Sequence, residues 1–311
     1  MYKPEGIYVA MLTPFTDQGT INEEVLRRMV EFLIESGVHG LFPVSSVGES
    51  IHLTREEKIL MMEIIVDQNR NRVQVIPGAS SSYPAESILL ARKANELGCD
   101  GVVIAAPYFF HVSQESIQAY FETISDAVDI PIIIYNSPLF TQPLSYDLVK
   151  RLAKKDNIVA MKDSSGSMVD FLHFMDTTRI SGGEINILTG REESLFPCLM
   201  VGGMGCMTAT AGILPEIMIA IYKTWQAKNY DKARELQFTI LSLVRAMFEL
   251  PLPLGFKVAM EMRGFKMGPP KQPLYDALSD TYDSLKADIE EKMAALLDNL
   301  REIATKSHTG N

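Results

Sequence analysis

Ile158-Val159-Ala160-Met161-Lys162-Asp163 begins with four apolar residues and ends on a lysine and an aspartate. A run that apolar, with no polar alternation, suits a strand covered on both faces, as in a parallel sheet flanked by helices. The same pattern recurs on either side. Short runs rich in Val and Ile stand at 6–12, 38–44, 73–78, 101–105, 131–135, 158–162, 185–189 and 204–208. Longer amphipathic stretches separate them near 22–36, 55–70, 84–97, 114–128, 144–154, 167–178 and 191–201. Eight such units predict an α/β protein, a (β/α)8 TIM barrel. A doubly wound open sheet is the weaker alternative, because no Gly-x-Gly-x-x-Gly follows the first run.

Local signals agree with that reading. Thr54 and Glu57 have the spacing of a capping box ahead of a helix. Pro84 stands where a first helical turn needs no N–H. After Pro215 the strand pattern stops, and stretches near 216–227, 230–249, 255–263 and 280–304 read as helices. The expected organisation is a barrel over 1–214 carrying the active site, with a C-terminal helical bundle over 215–311 packed on it.

Composition narrows the function. Hydrophobic residues make up 47% of the 311 and charged residues 22%, which are globular values. The net charge of −10 argues against a nucleic-acid partner or an anionic membrane surface. Residues 196–215 lack charge over a length a membrane span would need, but Gly202, Gly203, Gly205 and Gly212 break them, so a helix, a turn and a buried strand are expected. No export signal is visible. Cys99, Cys198 and Cys206 are too few and too scattered for a disulfide frame or a zinc site, and read as reduced thiols of a cytoplasmic protein. The histidines at 39, 52, 111, 173 and 308 show no metal-ligand spacing, and no Gly-x-Ser-x-Gly marks a serine hydrolase.

Barrel chemistry belongs at the C-terminal ends of the strands. Lys162 ends the sixth run. A lysine that loses hydration there is favoured as the neutral amine, which attacks a ketone to form a Schiff base; the plainer alternative is a lysine paired with Asp163. Tyr135 ends the fifth run, where a phenol can move a proton to or from a substrate oxygen, or simply cap the core. Ser45-Ser46-Val47-Gly48-Glu49 follows the second run, and its hydroxyls and backbone N–H groups can hold a carboxylate. Gly190, Arg191, Glu192 and Glu193 follow the seventh. Acids at a barrel mouth can accept from substrate hydroxyls, although a helix's first turn favours acids anyway.

Taken together, the S-x-G-E of Ser46 to Glu49, the Y-N-x-P of Tyr135 to Pro138 and the V-A-M-K-D of Val159 to Asp163 resemble one family. That family is the dihydrodipicolinate synthase and N-acetylneuraminate lyase group of pyruvate-dependent class I aldolases, and the resemblance covers residues 6–273. It implies a covalent imine on Lys162 with no other cofactor and no metal. Tyr135 would be the general acid/base, and Ser46 would bond both Tyr135 and the pyruvate carboxylate held at the Gly48 turn. Val47, Gly48, Tyr108, Phe140, Gly190, Glu192, Glu193 and Met207 would line the substrate site. Pyruvate and an aldehyde or 2-oxo acid would be the partners, and a homotetramer the assembly.

Several positions depart from the family's pattern. Val47 stands where a second hydroxyl is common. Phe109 stands where many members place a relaying tyrosine, with Tyr108 one position away. Gln142 replaces a common glycine. Phe140 stands where the synthases carry an arginine for the aspartate-semialdehyde carboxylate, and Glu192 and Glu193 lie where the sialic acid lyases bind the sugar chain. The sequence therefore favours a carbon–carbon lyase acting on a keto-deoxy sugar acid or an N-acetylneuraminate-like substrate. The alternatives are 4-hydroxy-tetrahydrodipicolinate synthase, a keto-deoxy sugar acid dehydratase and, in another class, a 2-oxo acid binding protein with little turnover.

Overall fold

The computed structural model describes residues 4–180, 185–274 and 279–308. Among them eight strands form one parallel sheet: β1 Gly6–Ala10, β2 Gly40–Phe42, β3 Gln74–Val75, β4 Val102–Ala105, β5 Ile132–Asn136, β6 Ile158–Asp163, β7 Asn186–Thr189 and β8 Gly205–Thr208. Their order is β3-β2-β1-β8-β7-β6-β5-β4. The two outer strands meet as well: Gly78 bridges Val103, and Val103 N donates to Pro77 O at 2.9 Å. The sheet thus closes into a (β/α)8 barrel, as in the sequence reading.

Seven helices follow the first seven strands: α1 Glu23–Glu35, α2 Arg55–Asn69, α3 Pro84–Glu96, α4 Gln114–Ser125, α5 Tyr146–Leu152, α6 Met168–Ile180 and α7 Leu195–Met200. Their ends have local causes. Thr54 and Glu57 form the reciprocal capping box of α2, and Pro84 is the first residue of α3. The uncharged stretch 196–215 resolves into α7, β8 and the short helix α8 Thr210–Ile213. No helix among the described residues is long and apolar enough to cross a membrane.

Beyond β8 come α9 Pro215–Gln226, α10 Tyr230–Thr239, α11 Leu241–Glu249, α12 Leu254–Glu261 and α13 Ser279–His308. The single helix expected over 230–249 is two, with Ile240 at the break, fully buried. These helices join the same apolar core as the barrel: Leu243, Val244 and Met247 of α11 and Phe256, Val258 and Ala259 of α12 are buried with it. The α11–α12 pair also reaches over the strand ends, where it contributes to the site.

Candidate active site

Strand register places the two reactive side chains side by side. In the β5–β6 pair Tyr135 is opposite Lys162 and Asn136 opposite Asp163. Successive strand residues face opposite ways. Lys162 and Tyr135 point to the mouth, while Asn136 and Asp163 join each other outside the barrel, Asn136 Nδ2 donating to Asp163 Oδ1 at 2.7 Å. Asp163 also accepts from Ser165 Oγ at 2.8 Å. Burial holds the Asp163 carboxyl above the usual range, against the hydrogen bonds of Asn136 and Ser165. Pairing of Lys162 with Asp163, the plain alternative in the sequence, is therefore not formed.

Lys162 is buried, and no carboxylate pairs with it among the described residues. Its Nζ lies 4.3 Å from the centroid of the Tyr135 ring and 4.9 Å from that of Phe42. Aromatic walls and the lack of a carboxylate partner hold this amine at the cavity, where it can attack a carbonyl once its proton has been given up. Burial pushes the Tyr135 phenol up, but the Lys162 charge and the hydroxyls of Ser137, Ser164 and Ser46 outweigh it, so the net displacement is downward. Ser164 Oγ is 3.4 Å from the phenol oxygen.

The space in front of Lys162 has two connected lobes that share Ser46, Tyr135, Ser137, Leu139, Phe140 and Leu252. The inner lobe, about 70 Å³, also meets Lys162, Val47, Gly190, Glu192 and Met207. The outer lobe, about 420 Å³, also meets Phe42, Val44, Ile51, His52 and Tyr108. Half-burial pushes the Tyr108 phenol up, so that side chain is a neutral hydroxyl at the mouth.

Lys162, Tyr135, Ser46, Val47, Tyr108, Phe140, Gly190, Glu192 and Met207 thus converge on one cavity. Gly48 lies behind the wall: a Cβ there would be 2.6 Å from Met11 O, so the turn closes against the end of β1 only because that atom is missing. His111 lines neither lobe among the described residues.

The two acids differ from expectation. Glu192 is buried, and its Oε1 accepts from Ala209 N at 3.0 Å and Thr210 N at 3.3 Å, tying the β7 loop to the start of α8. Glu193 pairs with Arg191 at 3.3 Å and Arg245 at 3.8 Å, and lines neither lobe. The expectation of two acids at the mouth for substrate hydroxyls is therefore corrected for Glu193, which arginines engage away from both lobes. Glu192 remains in the wall of the inner lobe, with its Oε1 taken by backbone donors. Arg191, over the Phe248 ring at 5.0 Å, is itself part of the inner wall.

Some wall residues had no signal in the sequence. Phe248, Leu252 and Phe256 come from the helical extension and reach the inner lobe. Ser137 did carry a signal, as the variable residue of Y-N-x-P, and Ser164 directly follows V-A-M-K-D, which places it beside the same strand end. Among the described residues no group of three or more His, Cys, Asp and Glu side chains is arranged to hold a metal.

Fold and site together define a class I, pyruvate-dependent Schiff-base lyase. The comparisons narrow this further. The chain belongs to the dihydrodipicolinate synthetase family, whose model matches residues 3–292. It is 36% identical over 293 residues to 4-hydroxy-tetrahydrodipicolinate synthase of Methanopyrus kandleri, covering 93% of this chain and 97% of that one. A second relative of the same name, from Pelobacter propionicus, is 36% identical over 277 residues, covering 88% and 94%. Among solved structures, a dihydrodipicolinate synthase superposes with a TM-score of 0.87 at 30% identity, over 94% of this chain and 99% of that one. YagE, an E. coli K12 prophage protein of the same family solved with pyruvate, superposes at 0.85 with 29% identity, over 96% and 98%.

Proposed function

We propose that Lys162 forms an imine with pyruvate and that the enzyme makes or breaks the bond between pyruvate C3 and an aldehyde carbon. The observation that carries this is the direct pairing of Tyr135 with Lys162 across β5 and β6, both facing one cavity. The neutral amine adds to C2 of pyruvate, and loss of water gives the iminium. Loss of a C3 proton gives the enamine, which attacks the aldehyde carbon. Tyr135 supplies the proton to the new alkoxide, and water hydrolyses the imine to release the product and free Lys162. Cleavage is the reverse. The iminium is the electron sink, so the reading calls for no metal and no separate cofactor.

Two observations bear on the aldehyde. The relatives' name supports the condensing direction with a semialdehyde partner. The outer lobe supports an uncharged tail, because Phe42, Val44, Ile51, Leu139 and Phe140 are in its wall and Glu49 beside it is matched by Lys257. A sugar-acid substrate has lost the support of Glu193, which lines neither lobe, and Glu192 meets the inner lobe with one carboxylate oxygen already bonded to backbone. Phe109 and Phe110, 90% and 74% exposed, stand beside the mouth, and a surface of that kind supports the family-implied homotetramer. The buried thiols support a cytoplasmic home.

Borohydride reduction in the presence of pyruvate, followed by peptide mapping, tests the reading. An adduct on Lys162 is expected; none, or one elsewhere, overturns it. Assay of the trapped-competent enzyme with aspartate semialdehyde and with neutral aldehydes then separates the partners, and pyruvate release against water loss separates aldolase from dehydratase. Turnover above the Lys162→Ala background excludes a binding protein.

A further inference from the structure

The turn that follows β2 has its last residue tied to the far end of the chain. Glu49 stands in the left-handed region, with φ 60° and ψ 32°. Its carboxylate is buried and meets two groups of the C-terminal segment. Lys257 Nζ of α12 lies 2.8 Å from Oε1, and Lys271 N donates to Oε2 at 2.7 Å. Lys257 is equally buried, donates to Pro269 O at 3.4 Å and sits 4.5 Å from the Phe15 ring centroid. Other charges nearby are paired or peripheral: Lys271 Nζ binds Glu57, and Glu261 adds an acidic field at Lys257.

The other side of the turn is tied to the barrel. Ser45 Oγ donates to Met11 O at 2.9 Å and accepts from Gly48 N at 3.1 Å. Thr13 Oγ1 donates to Gly48 O at 2.6 Å. Between these two anchorages lie Ser46 and Val47, which line the reactive lobe. The residue before Lys257, Phe256, lines the same lobe. One buried ion pair therefore connects the wall made by the barrel turn to the wall made by α12.

We infer that Glu49 and Lys257 are positioning residues: their ion pair holds the Ser46 turn at the distance from Lys162 that the pyruvate carboxylate requires, so the helical extension sets pyruvate affinity. A buried charge whose partner is removed is costly and shifts its surroundings. Displacement of the turn acts directly on carboxylate binding, whereas the strands β5 and β6 that carry Tyr135 and Lys162 stay in place and the turn reaches them only through the Ser46 hydroxyl beside the phenol. Neither residue touches substrate in this account. The inference rests on the proposal that pyruvate forms an imine on Lys162.

The test compares wild type with Glu49→Gln, Lys257→Met and the double variant, each checked for native circular dichroism. Two quantities are read: the pyruvate concentration for half-maximal borohydride trapping, and the rate of C3 proton exchange at saturating pyruvate. A positioning role predicts half-saturation at least tenfold higher in the single variants, with exchange at saturation within about threefold of wild type. If a single variant does not fold, the double variant, which leaves no charge unpaired, decides; it should melt nearer to wild type yet keep the raised half-saturation. Lys257→Arg, which retains the charge, should recover most of the affinity. Folded variants with half-saturation within twofold of wild type and only a lower melting temperature would overturn the inference. Absence of a wild-type adduct is a different failure, that of the imine reading itself.

Discussion

Gly190 stands directly against Lys162. A Cβ built at position 190 would lie 2.6 Å from Lys162 Cε and 2.0 Å from Ser164 Oγ, both inside contact distance. The end of β7 thus leaves the lysine its path to the mouth by lacking a side chain. Gly190→Ala should displace both neighbours while the barrel remains folded, since position 190 is at the end of a strand and lines the cavity. Pyruvate trapping on Lys162 is expected to fall at least tenfold with little change in melting temperature. Trapping at the wild-type rate would show that the lysine reaches the substrate by another route.

The Tyr135 phenol offers a titration. Burial alone raises it, whereas the Lys162 charge and three serine hydroxyls bring it below the usual tyrosine value. Removing the charge in Lys162→Met leaves burial with less opposition, so the phenol should titrate at higher pH than in wild type. Difference absorbance of the phenolate across an alkaline titration reads this. A transition that moves down in Lys162→Met would refute the assigned cause.

Tyr135→Phe should separate binding from proton transfer. Phe109 carries no hydroxyl, and Tyr108 meets the outer lobe rather than the inner one. Turnover should fall by about a hundred- to ten-thousandfold, the usual scale for a placed acid/base group. Reduction of the pyruvate adduct should still label Lys162. Equal loss of labelling and turnover would place Tyr135 in imine formation instead.

Glu192→Ala should be a stability variant. It leaves the N–H groups of Ala209 and Thr210 without their buried acceptor. The expected loss is about 1–3 kcal/mol in a urea titration, the cost of unsatisfied buried donors. A folded, fully stable variant with altered aldehyde preference would restore the substrate-binding role expected from the sequence.

The cysteines make a simple check. Burial pushes the thiols of Cys99, Cys198 and Cys206 up to about 12. The thiolate is the reactive form. A disulfide reagent at neutral pH should therefore label the native protein slowly and all three sites rapidly in denaturant. Fast labelling of the native protein would contradict the burial.

How much was legible from the chain alone differs between fold and site. Eight apolar runs, their spacing and their caps are local facts, and every observed strand overlaps its expected run, with β5 and β6 each extending one residue further, to Asn136 and Asp163, because burial on both faces demands continuous apolar sequence. Lys162 and Tyr135 were legible for the same reason: each ends such a run, and strand ends are where a barrel opens. The break of the 230–249 helix at Ile240 was not, since nothing in the helical periodicity there signals a change of direction.

The sequence by itself determined which residue types stand at the strand ends and the order in which strands and helices follow. Only the tertiary structure decided what those residues face. Register made Tyr135 the neighbour of Lys162 and turned Asp163 away from it. Chain closure brought Ala209 and Thr210 to Glu192 and Arg245 to Glu193, so that Glu192 became an internal acceptor and Glu193 an ion-pair partner away from the cavity. Some two hundred residues separate Glu49 from Lys257, and no local pattern links them. A buried charge must find its partner wherever packing brings one, and packing is a property of the whole chain.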